Sequence, residues 1–112
     1  MADCVNVLIN NAGLIFPERR ETKDGFEMTM GVNHLGHFYL THLLWDLIKV
    51  ADKPRVINVS SIAHYGARHK GLMDFIDFED MNLLKLYTTR IAYARSKMAN
   101  VLFTRQLQQR IN

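Results

Sequence analysis

The 112-residue chain is 48% hydrophobic, 22% charged and 10% aromatic, the make-up of one globular domain and not of a disordered or fibrous segment. No apolar run approaches the roughly 20 residues of a membrane-spanning helix, the first residues lack the basic-then-apolar layout of a signal peptide, and the single Cys4 excludes an intramolecular disulfide. Fourteen Lys+Arg against eleven Asp+Glu leave a net charge of +3, but Arg19-Arg20, Arg68–Lys70 and Arg105/Arg110 are scattered along the chain, so no nucleic-acid partner is expected.

Val5-Asn6-Val7-Leu8-Ile9 is a short aliphatic run stopped by Asn10-Asn11-Ala12-Gly13. Near-continuous apolarity over so few residues predicts a strand buried on both faces, as in a parallel sheet. Asp24-Gly25 opens a long helical pattern in which Phe26, Met30, Asn33, His37, Leu40, Leu44 and Leu47 recur at three- and four-residue steps. Pro54 stops it. Val56-Ile57-Asn58-Val59 reads as a second strand, ending at Ser60-Ser61. Strand, helix and strand in this order make a βαβ unit with parallel strands. The stretch Ile62 to Thr89 carries Gly66, Gly71, a basic patch, and then Asp74, Asp77, Glu79 and Asp80. It reads as a long loop with one helical turn, and connections of that length are usually functional or disordered. A second helix is predicted from Thr89 to Asn112, with Ile91, Ala94, Met98, Val101/Leu102 and Phe103 on its packing side. Two strands and two helices do not close a core, because parallel strands need cover on both faces and neighbours at both edges. The expected architecture is therefore an interior segment of an α/β, partial Rossmann-type doubly wound parallel sheet.

Tyr93 and Lys97 are four residues apart in Tyr93-Ala94-Arg95-Ser96-Lys97, so on a helix they share a face with Cβ atoms about 5–6 Å apart. A free phenol ionises near pH 10, too high for proton traffic at neutral pH. An ammonium about 4 Å away, at an effective dielectric near 20, favours a phenolate by roughly 4 kcal/mol. The spacing alone occurs in many ordinary helices. Here Ser60-Ser61 sits at the carboxyl end of a predicted buried strand, where ligands bind in open α/β sheets. Asn10-Asn11-Ala12-Gly13 marks the same end of the previous strand, with Gly13 and Ala12 small enough for close approach to the backbone. Asn33 lies on an otherwise apolar helix face, where a polar side chain costs stability unless paired. His34, His37 and His42 lack a carboxylate or cysteine to complete a metal set, the acids from Asp74 to Asp80 lack an EF-hand pattern, and the sequon Asn58-Val59-Ser60 falls on a buried strand. These are read as ordinary surface, loop and core residues, and no metal is expected.

In order, Asn10-Asn11-Ala12-Gly13, Asn33-His34-Leu35-Gly36, the strand ending in Ser60-Ser61, and Tyr93-Ala94-Arg95-Ser96-Lys97 resemble the short-chain dehydrogenase/reductase family. The longer stretches Asn33–Phe38, Val59–His64 and Ala92–Phe103 resemble its retinol dehydrogenase-like branch. The resemblance implies an oxidoreductase that interconverts an alcohol and a carbonyl on a small lipophilic substrate, with NADP(H) favoured over NAD(H). It further implies Tyr93 as general acid/base, Ser61 as hydrogen-bond donor to the substrate oxygen, Lys97 as partner of the nicotinamide ribose, and Asn33 as anchor of a water leading to Lys97. Asn10, Ala12 and Gly13 would line the adenosine side of the cofactor and tie neighbouring strands together.

The family's glycine-rich phosphate turn has no match, since no G-x-x-x-G-x-G occurs in the chain. Residues 1–112 are thus expected to be a partial NAD(P)-binding domain, without that turn and without the C-terminal substrate region. A competing reading of the chain as it stands is a catalytically silent interaction module, in which the two long helices pair with a second copy. The branch includes cytoplasmic proteins and proteins associated with endoplasmic-reticulum or mitochondrial membranes, and membrane attachment would come only through segments this sequence does not contain.

Overall fold

The computed structural model describes residues 2–68 and 76–111. Lys70, Gly71 and Asp74, part of the predicted loop, lie outside the described residues, as does Asn112 at the end of the predicted second helix.

The two aliphatic runs form strands β1 (Val7–Asn10) and β2 (Arg55–Asn58). They pair in parallel, from Val7 opposite Arg55 to Asn10 opposite Asn58. Backbone bonds from Arg55 N to the Asn6 oxygen (2.9 Å) and from Val59 N to the Asn10 oxygen (3.1 Å) extend the ladder at both ends. Successive side chains in a strand point to opposite faces. Asn10 and Asn58 reach the helices, so Val7, Ile9, Ile57 and Val59 point away from them. These four are 52%, 58%, 43% and 36% exposed. The expectation of strands buried on both faces is therefore corrected for this chain: the helices of residues 28–49 and 89–111 cover one face, and the apolarity of the other has no cover among the described residues.

The crossover between the strands is helical but not one helix. It runs through α1 (Met28–Met30), a π-helical turn (Gly31–Leu35), α2 (Gly36–Leu43) and α3 (Trp45–Lys49). It starts later than Asp24-Gly25, which instead form a turn in which Gly25 N bonds the Thr22 oxygen (2.9 Å) at a Gly25 φ of +90°. Glu27 begins the helix, its carboxylate accepting from Thr29 N (2.6 Å) and Met30 N (3.0 Å) and so meeting two of the free amides every helix start leaves. The π turn closes where Gly36 N bonds back to the Gly31 oxygen, a five-residue step that inserts one residue into the helical repeat. The buried face advances accordingly. Met30 and Asn33 are buried as the periodicity predicts, but beyond the turn Thr41 and Ile48 are buried where Leu40 and Leu47 were expected, and Leu40 is 40% exposed. Gly31 permits this geometry, because a Cβ there would stand 2.6 Å from the Thr22 methyl.

After β2 the chain makes a 3-10 helix, Ile62–Arg68, and residues 77–88 contain turns without a regular element. The last element is α4 (Thr89–Ile111). Ala92, Ala94, Met98 and Ala99 are buried on it, but so are Arg95, Ser96, Lys97 and Asn100, and Val101 and Leu102, expected to pack, are 36% and 38% exposed. The face of α4 turned to the crossover is largely polar, and its contacts are hydrogen bonds that fix the rotational setting of the helix.

Candidate active site

Four elements bring their ends together at the carboxyl edge of the sheet. Beyond β1, Ala12 and Gly13 are exposed. A Cβ placed on Gly13 would lie 3.4 Å from Asn33 Oδ1 and 3.6 Å from Lys97 Nζ, so the missing side chain keeps the space beside the ammonium open. Asn33, in the π turn, is fully buried and held on all sides. Its Oδ1 accepts from Leu14 N (2.9 Å), and its Nδ2 donates to the Leu14 oxygen (3.0 Å) and to Ser96 Oγ (3.1 Å). The pairing with both backbone groups of Leu14 imitates a strand neighbour and ties the segment after β1 to the crossover. Ser96 Oγ in turn donates to the Tyr93 backbone oxygen (2.7 Å).

Lys97 is 4% exposed. Its Nζ lies over the Tyr93 ring, 5.5 Å from the centroid, and 3.4 Å from the Val59 oxygen at the end of β2. One strand residue later, Ser60 Oγ donates to the Lys97 backbone oxygen (2.8 Å), seating α4 against the sheet tip. Ser61 Oγ accepts from Ala63 N (3.0 Å), an arrangement that starts the 3-10 helix and leaves the hydroxyl hydrogen outside that bond. Tyr93 and Ser61 are both half-buried. Gly13, Asn33, Tyr93 and Lys97 thus converge, and Ser60, the residue before Ser61, holds the Lys97 backbone.

Asn10 goes elsewhere. It is 2% exposed, and its Nδ2 donates to Thr41 Oγ1 (3.0 Å) and Asn58 Oδ1 (2.7 Å), while Asn58 Nδ2 donates to Thr104 Oγ1 (2.9 Å). The side chain lies between sheet and helices and ties β1 to β2 and to α2.

Three side chains that the sequence reading gave no role complete the centre. Ser96 links Asn33 to Tyr93. Asn100 Nδ2 donates to the Asn33 oxygen (2.9 Å) and the Val59 oxygen (3.3 Å), and its Oδ1 stands 3.1 Å from His34 Nδ1. His34 packs against Phe38 and Phe103, at 6.0 and 5.9 Å between ring centroids, and burial holds its imidazole below the usual histidine range against the opposing pull of the Asn100 bond. The available signal was spacing: 93, 97 and 100 recur on one helical face, with 96 beside it.

On the outer side of the same helices, His34, Phe38, His42, Trp45, Phe103 and Leu107 line an open groove of about 780 Å³ between α2 and α4. Among the described residues no helix is long and apolar enough to cross a membrane.

Exposed Ala12 and Gly13, the Lys97 ammonium beside Gly13 and the half-buried Tyr93 on the same helix face offer contact, charge and a hydroxyl able to exchange a proton.

A family model for short chain dehydrogenases matches residues 2–71. The chain is 48% identical over 107 residues to human retinol dehydrogenase 12 and 48% identical over 108 residues to human retinol dehydrogenase 13, in each case over 96% of this chain. It spans 32% and 30% of those proteins, about a third of their length. A crystal structure of an uncharacterised protein from Mycobacterium paratuberculosis superposes with a TM-score of 0.82 at 44% identity, over 98% of this chain and 37% of the other. The parallel pair with its helical crossover is accordingly part of a Rossmann-type α/β sheet, and the chain belongs to the short chain dehydrogenase family.

Proposed function

We propose that this chain carries the proton-transfer half of an alcohol–carbonyl oxidoreductase that uses a nicotinamide dinucleotide, NADP(H) in preference to NAD(H), on a small lipophilic substrate of the retinoid kind. The observation that supports it is the convergence of Gly13, Asn33, Lys97 and Tyr93 at the sheet edge. When bound, the dinucleotide supplies the hydride. Tyr93 gives a proton to the carbonyl oxygen as the carbon is reduced, and takes one from the alcohol in the reverse direction. Ser61 donates a hydrogen bond to that oxygen, stabilising the charge that develops there. Lys97 bonds the ribose hydroxyls from below Gly13. Asn33, buried in the π turn beside Gly13 and Lys97, anchors the water that leads protons to Lys97.

The test is direct. The purified chain is mixed with NADPH or NADH and a retinoid aldehyde, and reduction is followed by loss of cofactor fluorescence. Removing the proton donor with Tyr93→Phe is expected to slow turnover roughly 100- to 10,000-fold, the usual worth of general acid catalysis, with cofactor affinity nearly intact. Lys97→Ala is expected to weaken both. Near-parent activity in the Tyr93→Phe protein refutes the proton-donor assignment.

A second reading rests on the groove between α2 and α4, where Phe38, Leu102 and Ile111 are 51%, 38% and 52% exposed. A second copy of the chain, related by a two-fold axis, covers this face with its own matching apolar helices. A dimer in light scattering with no cofactor binding favours the interaction module over the enzyme, and a monomer at high concentration rejects the pairing.

A further inference from the structure

The Val59 carbonyl receives two donors that have very different work to do. Lys97 Nζ stands 3.4 Å from it and Asn100 Nδ2 stands 3.3 Å from it. A buried ammonium with one strong carbonyl acceptor in reach is drawn onto that acceptor, because a charge-assisted bond is shorter and stronger than a neutral one. Here the acceptor is shared, and the ammonium lies at the outer limit of hydrogen bonding, near Gly13.

Asn100 is placed to enforce this. It is 2% exposed and three residues after Lys97, so it occupies the next position on the same face of α4. Its Nδ2 faces two carbonyl oxygens, those of Asn33 and Val59, and neither can donate. The amide therefore has a single workable orientation, with Oδ1 towards His34, and His34 Nδ1 carries the proton and donates across the 3.1 Å. The Asn33 oxygen has a second donor in His37 Nδ1 at 3.1 Å.

We propose that Asn100 is a positioning residue for Lys97: by occupying the Val59 carbonyl it keeps the ammonium from collapsing onto the strand tip and leaves it directed at the space under Gly13, while the His34 hydrogen bond fixes the amide in the orientation that does so. The inference rests on the proposed role of Lys97 as ribose partner, and it assigns to His34, a groove residue, an influence on the reaction centre through one hydrogen bond.

The test reads the ammonium itself. In Asn100→Leu, similar in shape but without donors, the Asn33 oxygen keeps His37 and the Val59 oxygen keeps Lys97, so no buried carbonyl loses its last partner. The chain is labelled with 15N at lysine and histidine side chains, and the Lys97 signal is assigned by its disappearance in Lys97→Arg. In Asn100→Leu, Lys97 is expected to close on the Val59 oxygen, and exchange of its ammonium protons is expected to slow roughly three- to tenfold, the factor that one net hydrogen bond supplies. His34 is expected to lose its fixed Nδ1–H form in favour of Nε2–H. His34→Phe, which keeps the packing with Phe38 and Phe103, is expected to slow Lys97 exchange by a smaller factor, and it carries the test if Asn100→Leu does not fold. An unchanged Lys97 signal in the folded variants overturns the proposal, whereas general loosening of the backbone would speed exchange everywhere and so has the opposite sign. The readout needs neither cofactor nor turnover. An inactive chain with a responsive Lys97 defeats the enzymatic reading alone, and an active chain with an unresponsive Lys97 defeats the Asn100 assignment alone.

Discussion

Arg95, between Tyr93 and Lys97 in sequence, is the residue whose replacement is expected to cost the most stability. Its side chain and that of Glu27 are both 0% exposed, and Arg95 Nη2 donates to Glu27 Oε1 at 2.9 Å. At that distance and an effective dielectric near 20, the attraction is about 6 kcal/mol. It is set against a desolvation cost of several kcal/mol for each ion, and Arg95 Nε and Nη1 have no hydrogen-bond partner among the described residues, so the intact pair adds little net stability. Breaking it is another matter. Arg95→Met leaves the Glu27 carboxylate buried with the Thr29 and Met30 amides as its donors among the described residues, and Glu27→Gln leaves the guanidinium buried without its ion-pair partner. Each is expected to cost roughly 3–5 kcal/mol, a large share of the roughly 5–15 kcal/mol that holds a typical domain together. The double variant is expected to lose less than the sum of the two, because neither charge is then stranded. Urea unfolding followed by circular dichroism measures all three. If Arg95→Met unfolds within about 0.5 kcal/mol of the parent, the size of an ordinary surface substitution, the burial argument is wrong.

Gly31→Ala is expected to destabilise the chain by roughly 1–3 kcal/mol, the range for overpacking, because its methyl group would meet the Thr22 methyl at 2.6 Å. Thr22→Ser removes that methyl and keeps the hydroxyl that accepts from Phe26 N at 3.1 Å, so the double variant should recover much of the loss in thermal unfolding. Gly13→Ala meets its neighbours at ordinary contact distances and should leave the melting temperature nearly unchanged while lowering NADPH affinity in a fluorescence titration; unchanged affinity removes Gly13 from the cofactor cleft. His34 titrates below the usual histidine range when folded because burial disfavours its cation. The unfolded chain therefore takes up the proton first, and stability is expected to fall as pH drops from about 6.5, the unperturbed value, through the lowered folded value. In His34→Phe this part of the pH dependence should vanish, and a parallel curve refutes it.

What could be read from the residues follows the range of the interactions involved. Both strands, the α4 helix and the Tyr93–Lys97 pair are local patterns: an aliphatic run, a breaker, a four-residue step. They appear in the structure within one or two residues of where the sequence puts them. The π turn has no such signature. A helix with one inserted residue carries almost the same periodicity up to the insertion, and only beyond it do Thr41 and Ile48 replace Leu40 and Leu47 on the buried face. The steric reason for a glycine at position 31 is a threonine nine residues earlier in a turn, a contact that no helical template includes. Longer-range pairs were less legible still. Glu27 and Arg95 are 68 residues apart, and Asn100 meets Asn33 across 67. In sequence they are ordinary polar residues on helices, where a solvated face is the natural reading.

The polar interior also explains how so small a body of chain can hold its last helix at one fixed angle. Apolar side chains pack acceptably in many rotational settings of a helix, so a core of three alanines and one methionine such as that on α4 restrains its rotation weakly. Hydrogen bonds are directional. Ser60 grips the Lys97 carbonyl, Ser96 grips the Asn33 amide, Asn100 spans two carbonyls, and Arg95 meets Glu27. Turning α4 by one residue, about 100°, would break all four at once and strand a buried charge. The same turn would carry Tyr93 and Lys97 away from Gly13. The bonds between polar residues that look solvated in the sequence are thus the ones that set the angle at which the phenol and the ammonium are presented.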